Sequence, residues 1–178
     1  MIITRPNFFV FSGGPGVGKT TLIRHLAGLG ELTVEETART IIREELAAGG
    51  QGVPWLDNDR YVRLTAARDT ATFDRLADES RRVFFDRGII DSYRANGAPA
   101  TPQIVEAIRT RRYNPKVFVF PPWREIYQTD AERRQDWPAA ATTFDRVLAQ
   151  LAELDYSPVI VPIGDVESRA AFVLERTA

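Results

Sequence analysis

Four short, nearly unbroken apolar runs mark the chain: Phe8-Phe9-Val10-Phe11, Val83-Phe84-Phe85, Val117-Phe118-Val119-Phe120 and Val159-Ile160-Val161. Each reads as a strand, and the runs at Phe8–Phe11 and Val83–Phe85 read as strands buried in the sheet. Leu32-Thr33-Val34-Glu35 reads as one more strand, second in chain order. Between them the apolar positions change to helical spacing. Leu22, Ile23, Leu26 and Leu29 predict a helix over Lys19–Leu29, with Gly28 and Gly30 at its end. Ile41, Ile42 and Leu46 face inward on a helix over Thr37–Ala48, closed by Gly49-Gly50. Arg60–Ser80 carries a weaker stripe of Val62, Ala66, Phe73, Leu76 and Ala77. Thr101 as cap and Pro102 in the first turn start a helix whose inner face is Ile104, Val105 and Ile108. Phe144, Val147, Leu148, Leu151 and Leu154 predict a helix over Ala139–Leu154, and Asp165 caps a last one over Val166–Arg176. Strands and helices alternate throughout. The expected class is therefore α/β, a mainly parallel sheet with helices on both faces. With no repeat and no internal boundary, residues 1–178 are expected to form a single domain.

Composition narrows the chemistry. The 178 residues, 44% hydrophobic, suffice for one sizeable core. No cysteine is present, which excludes disulfides, zinc–thiolate sites and thiol catalysis. Twenty-three basic and twenty-four acidic residues leave a formal charge of −1, which argues against a general nucleic-acid binder but leaves room for a local basic pocket. Met1-Ile2-Ile3-Thr4-Arg5-Pro6 does not read as a signal peptide, and no apolar run reaches the roughly 20 residues of a membrane helix. The expectation is a soluble cytoplasmic protein with no membrane segment.

The strongest signal lies between the first strand and the first helix. Gly13-Gly14-Pro15-Gly16-Val17-Gly18-Lys19-Thr20-Thr21 contains G-x-x-x-x-G-K-[ST] in the strand–turn–helix context that its mechanism requires. A triphosphate concentrates negative charge, and a glycine-rich turn can aim several backbone N–H groups at it. The helix beginning at Lys19 adds its positive end. Lys19 is expected to reach the β- and γ-phosphates of ATP, and the Thr20 hydroxyl to ligate Mg²⁺.

Three further segments bear on the chemistry that nucleotide binding makes possible. Glu35 and Glu36 end the second strand, where ligands sit in parallel sheets. One of them can accept a proton from an attacking hydroxyl; equally, the pair can be a solvated helix start favoured by the dipole. Asp86-Arg87-Gly88 ends a buried strand, so Asp86 is a candidate for holding Mg²⁺ with Thr20, with helix capping as the alternative, and Arg87 for holding a phosphate or the substrate. Arg124, Arg133 and Arg134 can close over transferring phosphate as a short lid, or can belong to an exposed charged helix. Trp55, Trp123 and Trp137 are candidates for stacking on a ring, with core packing the commoner role; Trp55 is best placed, in the loop before the long helix. His25, the one histidine, lies too far along the first helix to meet phosphates and reads as structural.

In this order, GGPGVGKTTL, Glu36-Thr37-Ala38-Arg39, Phe84-Phe85-Asp86-Arg87-Gly88 with Asp91, and PPWREIYQTDAERRQ resemble the small AAA-type family of P-loop ATPases and kinases. Relatives of that family include the ribosylnicotinamide kinase domain of a bacterial NAD regulator and, more distantly, deoxynucleoside and thymidylate kinases. The resemblance covers nearly the whole chain. It implies a three-layer P-loop fold with a five-stranded parallel sheet in the order 2-3-1-4-5. It also assigns catalytic positions to Lys19, Glu36, Asp86, Arg87, Arg124, Arg133 and Arg134. Two departures concern the acceptor: Gly88 stands where nucleoside kinases often have serine, and Gln51–Asp59 matches no known acceptor loop.

The leading expectation is an ATP-dependent kinase acting with Mg²⁺ on a nucleoside-like or other small hydroxyl-bearing molecule. An ATPase, or a nucleotide-dependent switch acting on a protein or lipid partner, is the alternative. No Asn-Lys-x-Asp stretch is present to read guanine, and the chain has no room for the helical domain of a ring-forming motor. The oligomeric state is left open.

Overall fold

The computed structural model describes residues 1–95, 100–126 and 137–177. Its elements in chain order are β1 (Ile3–Thr4), β2 (Phe8–Gly13), α1 (Lys19–Gly28), β3 (Leu32–Val34), α2 (Thr37–Ala47), α3 (Asn58–Arg75), β4 (Val83–Asp86), α4 (Pro102–Thr110), β5 (Arg111–Arg112), β6 (Lys116–Phe120), α5 (Trp137–Glu153), β7 (Ser157–Ile160) and α6 (Val166–Glu175). Short 3-10 turns occupy Ile89–Ser92 and Arg124–Ile126.

Five strands form a parallel sheet in the order β3-β4-β2-β6-β7. Counted along the chain within that sheet, the order is 2-3-1-4-5, as expected. The sequence pattern does not reveal the small parallel pair β1–β5, because two residues per strand carry no periodicity.

The central strand explains the three layers. Side chains alternate across a strand, so Phe8 and Val10 enter one core with Phe73, Phe85, Ile104, Ile108, Val117 and Leu151 beneath α3, α4 and α5. Phe9 and Phe11 enter the other core with Leu22, Ile23, Leu26, Phe84, Phe118, Phe120 and Val173 beneath α1 and α6. Aromatic contacts knit each core: Phe8–Phe73 centroids are 5.3 Å apart edge-to-face, and Phe11–Phe118 centroids 5.7 Å.

Several helix boundaries and faces differ from expectation. Leu46 is exposed, because five residues past Ile41 is about 140° around a helix. Val105 is exposed beside buried Ile104, about 100° away, and Leu29 lies exposed at the end of α1. α3 begins at Asn58, where Asp57 caps the Arg60 N–H, and ends at Arg75 instead of Ser80. The last strand starts two residues early, at Ser157, although the Val161 N–H still bonds the Val119 carbonyl. The caps at Thr101 and Asp165 are present, accepting from the backbone N–H of Ile104 and Ser168. Among the described residues, no helix is long and apolar enough to cross a membrane.

Gly13 sits where β2 meets the turn, at φ 131°, and a Cβ there would lie 2.7 Å from the Phe120 carbonyl oxygen of β6. Strand packing therefore requires glycine here, independently of any phosphate. Gly13→Ala should combine backbone strain with a clash against backbone and destabilise by about 2–3 kcal/mol. Urea unfolding checks this; an unchanged midpoint contradicts it.

Candidate active site

The parallel register brings the candidate residues to one end of the sheet. Phe11 pairs with Asp86 and Gly13 with Phe120, so the ends of β4 and β6 flank the root of the phosphate loop. The Arg87 N–H bonds the Phe11 carbonyl at 3.0 Å, extending that pairing by one residue. A cavity of about 450 Å³ opens there. Its walls include Pro15–Thr21 of the loop, Glu36 and Arg39 at the start of α2, Arg87, Trp123, and Gly164–Val166 with Arg169.

Within the loop, Gly16 and Gly18 take positive φ of 72° and 82°, which glycine adopts without steric cost. Lys19 is 6% exposed and donates to the carbonyls of Gly13 at 3.2 Å and Gly14 at 2.6 Å. Burial, with a smaller push from Arg87, holds its ammonium down to about 8 despite Asp86, Glu36 and Asp91. The ammonium thus folds back on its own loop and is bound to carbonyls.

Thr20 Oγ1 donates to Asp86 Oδ2 at 2.7 Å, joining α1 to the end of β4. The second oxygen, Asp86 Oδ1, is buried with no hydrogen-bond partner among the described residues. Burial pushes this carboxyl up, opposed by Lys19 and the Thr20 hydroxyl. Asp86 caps no helix; the 3-10 turn after it, Ile89–Ser92, has Gly88 at its cap position. A hydroxyl and a carboxylate oxygen without a partner form a hard-oxygen donor pair suited to Mg²⁺. Among the described residues no group of three or more His, Cys, Asp or Glu could hold a metal. A cation here would take its other ligands from water and phosphate.

Arg87 is the electrostatic centre. It is a non-glycine residue at φ 69°, a strained conformation at the turn out of β4. Its Nε donates to Glu36 Oε1 at 2.7 Å, and Nη1 reaches Asp91 Oδ1 at 3.4 Å. Asp91 Oδ1 also accepts from Ser12 Oγ at 2.5 Å, and Oδ2 from the Gly88 N–H at 2.9 Å. One carboxylate therefore ties β2, the strained turn and the guanidinium together. Burial raises the Glu36 carboxyl, but Arg87 and Lys19 outweigh that effect and leave its pKa lowered. Glu36 lines the cavity, whereas Glu35 is exposed.

Not every expected residue reaches this cavity. Arg124 lies exposed on its short turn and is not part of the wall; Arg133 and Arg134 lie outside the described residues. Trp123 lines the cavity, whereas Trp55 is exposed away from it. Sequence reasoning misses Ser12, Asp69 and Arg169, and gives Asp91 no role. Asp91 stands four residues past Arg87, but Arg87 lies outside any helix, so the spacing alone does not announce the pair. Asp69 falls on the apolar stripe of α3, where burial lifts its carboxyl to about 7 against a Thr37 hydrogen bond, with Asp91 adding to the rise. No local pattern marks Arg169.

A family model described as an AAA domain matches residues 8–169. No curated protein matches the chain in sequence. Among solved structures, NadR protein in complex with NR is similar at TM-score 0.69 and 22% identity, over 94% of this chain and 49% of that one. The chain thus spans about half the length of NadR. Thymidylate kinase from Ehrlichia chaffeensis is similar at TM-score 0.60 and 17% identity, over 95% and 96% of the two chains. Deoxyadenosine kinase from M. mycoides with bound dATP is similar at TM-score 0.62 and 11% identity, over 95% and 98%. At these identities the likeness is one of fold.

The chain has two lysines, Lys19 and Lys116, so ¹³Cε-lysine labelling yields two assignable signals. Lys19 should titrate with a midpoint of about 8, and inorganic triphosphate should move that midpoint up, because an adjacent anion favours the ammonium. A Lys19 midpoint at the ordinary lysine value, unmoved by triphosphate, contradicts the enclosed geometry.

Proposed function

The chain belongs to the AAA domain family, and from that membership and the cavity's geometry we propose that it is an ATP-dependent kinase for a nucleoside-like or other small hydroxyl-bearing acceptor. The observation that carries the reading is Glu36: an ionised carboxylate on the wall of the phosphate-loop cavity, oriented by Arg87. Phosphoryl transfer to a hydroxyl calls for such a group, and a nucleotide switch does not. Solved neighbours of like fold include thymidylate kinase, shikimate kinase and deoxyadenosine kinase. NadR was solved with NR and, in a second structure, with NAD and AMP-PNP.

In this mechanism the backbone N–H groups of Gly14 and Gly16–Thr20 cradle the phosphates, with Pro15, which has no N–H, and Gly13 setting the path of the loop and Thr21 completing its wall. Lys19 leaves the carbonyls of Gly13 and Gly14 for the β- and γ-phosphates, an exchange favoured because an anion replaces two neutral acceptors. Thr20 and Asp86 would hold Mg²⁺, which supplies positive charge to the phosphate oxygens. Glu36 accepts or orients the acceptor's hydroxyl proton while Arg87 keeps it ionised. Arg124, Arg133 and Arg134 are proposed to act as the lid. Arg87 is already matched by Glu36 and Asp91, which supports an acceptor whose recognition does not depend on that guanidinium as an anion partner.

Glu36→Gln keeps the size of the side chain and loses its charge. It should leave ATP binding nearly intact and lower transfer of labelled γ-phosphate to the acceptor by about 10²-fold or more. Glu35→Gln, on an exposed residue, should be mild. Both variants behaving like the native protein would remove the general-base assignment.

Asp86→Asn should raise the Mg²⁺ concentration for half-maximal activity and lower the maximum rate, because one hard anionic ligand becomes neutral. Coincident Mg²⁺ titrations of variant and native protein would dismiss the metal role.

A further inference from the structure

Arg169, in the first turns of α6, is a cation that no acid among the described residues answers. It is 4% exposed. One Nη donates to the Val17 carbonyl at 2.9 Å, and the Nε–H is buried without an acceptor among the described residues. Its guanidinium lies over the rings of Phe120, at 4.9 Å, and Trp123, at 5.5 Å. Burial lowers its pKa, and no neighbouring carboxylate among the described residues raises it again. The same side chain forms part of the wall of the phosphate-loop cavity.

A guanidinium in such a position costs stability in the empty protein, since ring faces and one carbonyl only partly replace its hydration. Arg82 and Arg87, by contrast, are held by carboxylates. What Arg169 does hold is the outer side of the phosphate loop. In a trans peptide the carbonyl and the following N–H point in opposite directions. A charged donor on the Val17 carbonyl therefore fixes and polarises the Gly18 N–H on the other side of that peptide. Trp123, which lies against the guanidinium, immediately precedes Arg124 at the start of the segment proposed as the lid.

Resting on the reading that this cavity takes a nucleoside triphosphate, we propose that Arg169 is a positioning residue for the polyphosphate. It pins the loop through Val17 and lends the phosphates a positive charge that no carboxylate among the described residues matches. The fold itself does not need that charge.

The test uses the full chain with Arg169→Gln, which keeps a donor for Val17 but loses the charge, and Arg169→Lys, which keeps the charge. Thermal unfolding is measured without ligand. Binding of ATP with Mg²⁺ and of inorganic triphosphate is measured by competition against a fluorescent ATP analogue. Arg169→Gln should unfold at the native temperature or above it. It should bind ATP and triphosphate more weakly by the same factor, about tenfold or more, and Arg169→Lys should recover most of that loss. A Gln variant that is unfolded or melts clearly lower makes Arg169 a structural residue and overturns the proposal. A loss for ATP without one for triphosphate makes it a wall of the base site, and equal losses for Gln and Lys remove the role of charge; either result overturns the proposal. Native protein that binds neither ligand contradicts the nucleotide reading itself, an outcome distinct from native binding that Arg169→Gln leaves unchanged.

Discussion

The Arg87 ion-pair cluster is the interaction on which the rest of the site depends. A parallel sheet buried on both faces leaves the ends of its strands as the natural place for converging charge. Here the end of β4 turns through a strained, left-handed arginine. Glu36 and Asp91 hold that arginine, and Asp91 in turn holds Ser12 in the strand that carries the phosphate loop. The ends of β2 and β4 and the start of α2 are thereby fixed relative to one another. Replacing one carboxylate would leave a partly buried guanidinium undercompensated, a costlier change than losing a surface pair.

Around this cluster the empty protein keeps several groups in incompletely satisfied electrostatic states. Lys19 is bound to carbonyls, and among the described residues nothing partners one buried oxygen of Asp86 or the buried Nε–H of Arg169. Each is unfavourable alone, and each lies in or beside the same cavity. A polyphosphate with its cation would satisfy all three: anion for ammonium and guanidinium, cation for carboxylate. Stability given up in the free protein would then reappear as affinity for the ligand.

The fold is largely legible in the sequence because buried strands write themselves as apolar runs, and Phe8–Phe11 with Val117–Phe120 are unmistakable in that respect. The phosphate loop is legible because its backbone path requires glycine at fixed places. Helix faces are less so: Leu46 and Val105 count as inward by composition, though rotation about the helix carries them outward. The side-chain network is least legible. Glu36 is singled out over Glu35 by the family resemblance, since both lie past the end of β3 and no strand alternation separates them, and Asp91–Ser12 joins residues 79 apart and Arg169–Val17 residues 152 apart. Contacts of that range arise only when β2, β4 and α6 meet, and no local pattern announces them. Trp55 draws attention by its loop, whereas Trp123 lines the cavity because β6 ends beside β2.

The central claim is that the cavity passes a γ-phosphoryl group to a hydroxyl acceptor and does not merely bind or hydrolyse nucleotide. The most direct measurement is the fate of labelled γ-phosphate from ATP, partitioned between water and a panel of nucleosides, pyridine ribosides and other small polyols, in the native protein and in Lys19→Ala. The account predicts label on at least one acceptor, at a rate well above release to water, and loss of both in the variant. Label found only as inorganic phosphate, whatever acceptor is present, would contradict it and make the protein an ATPase.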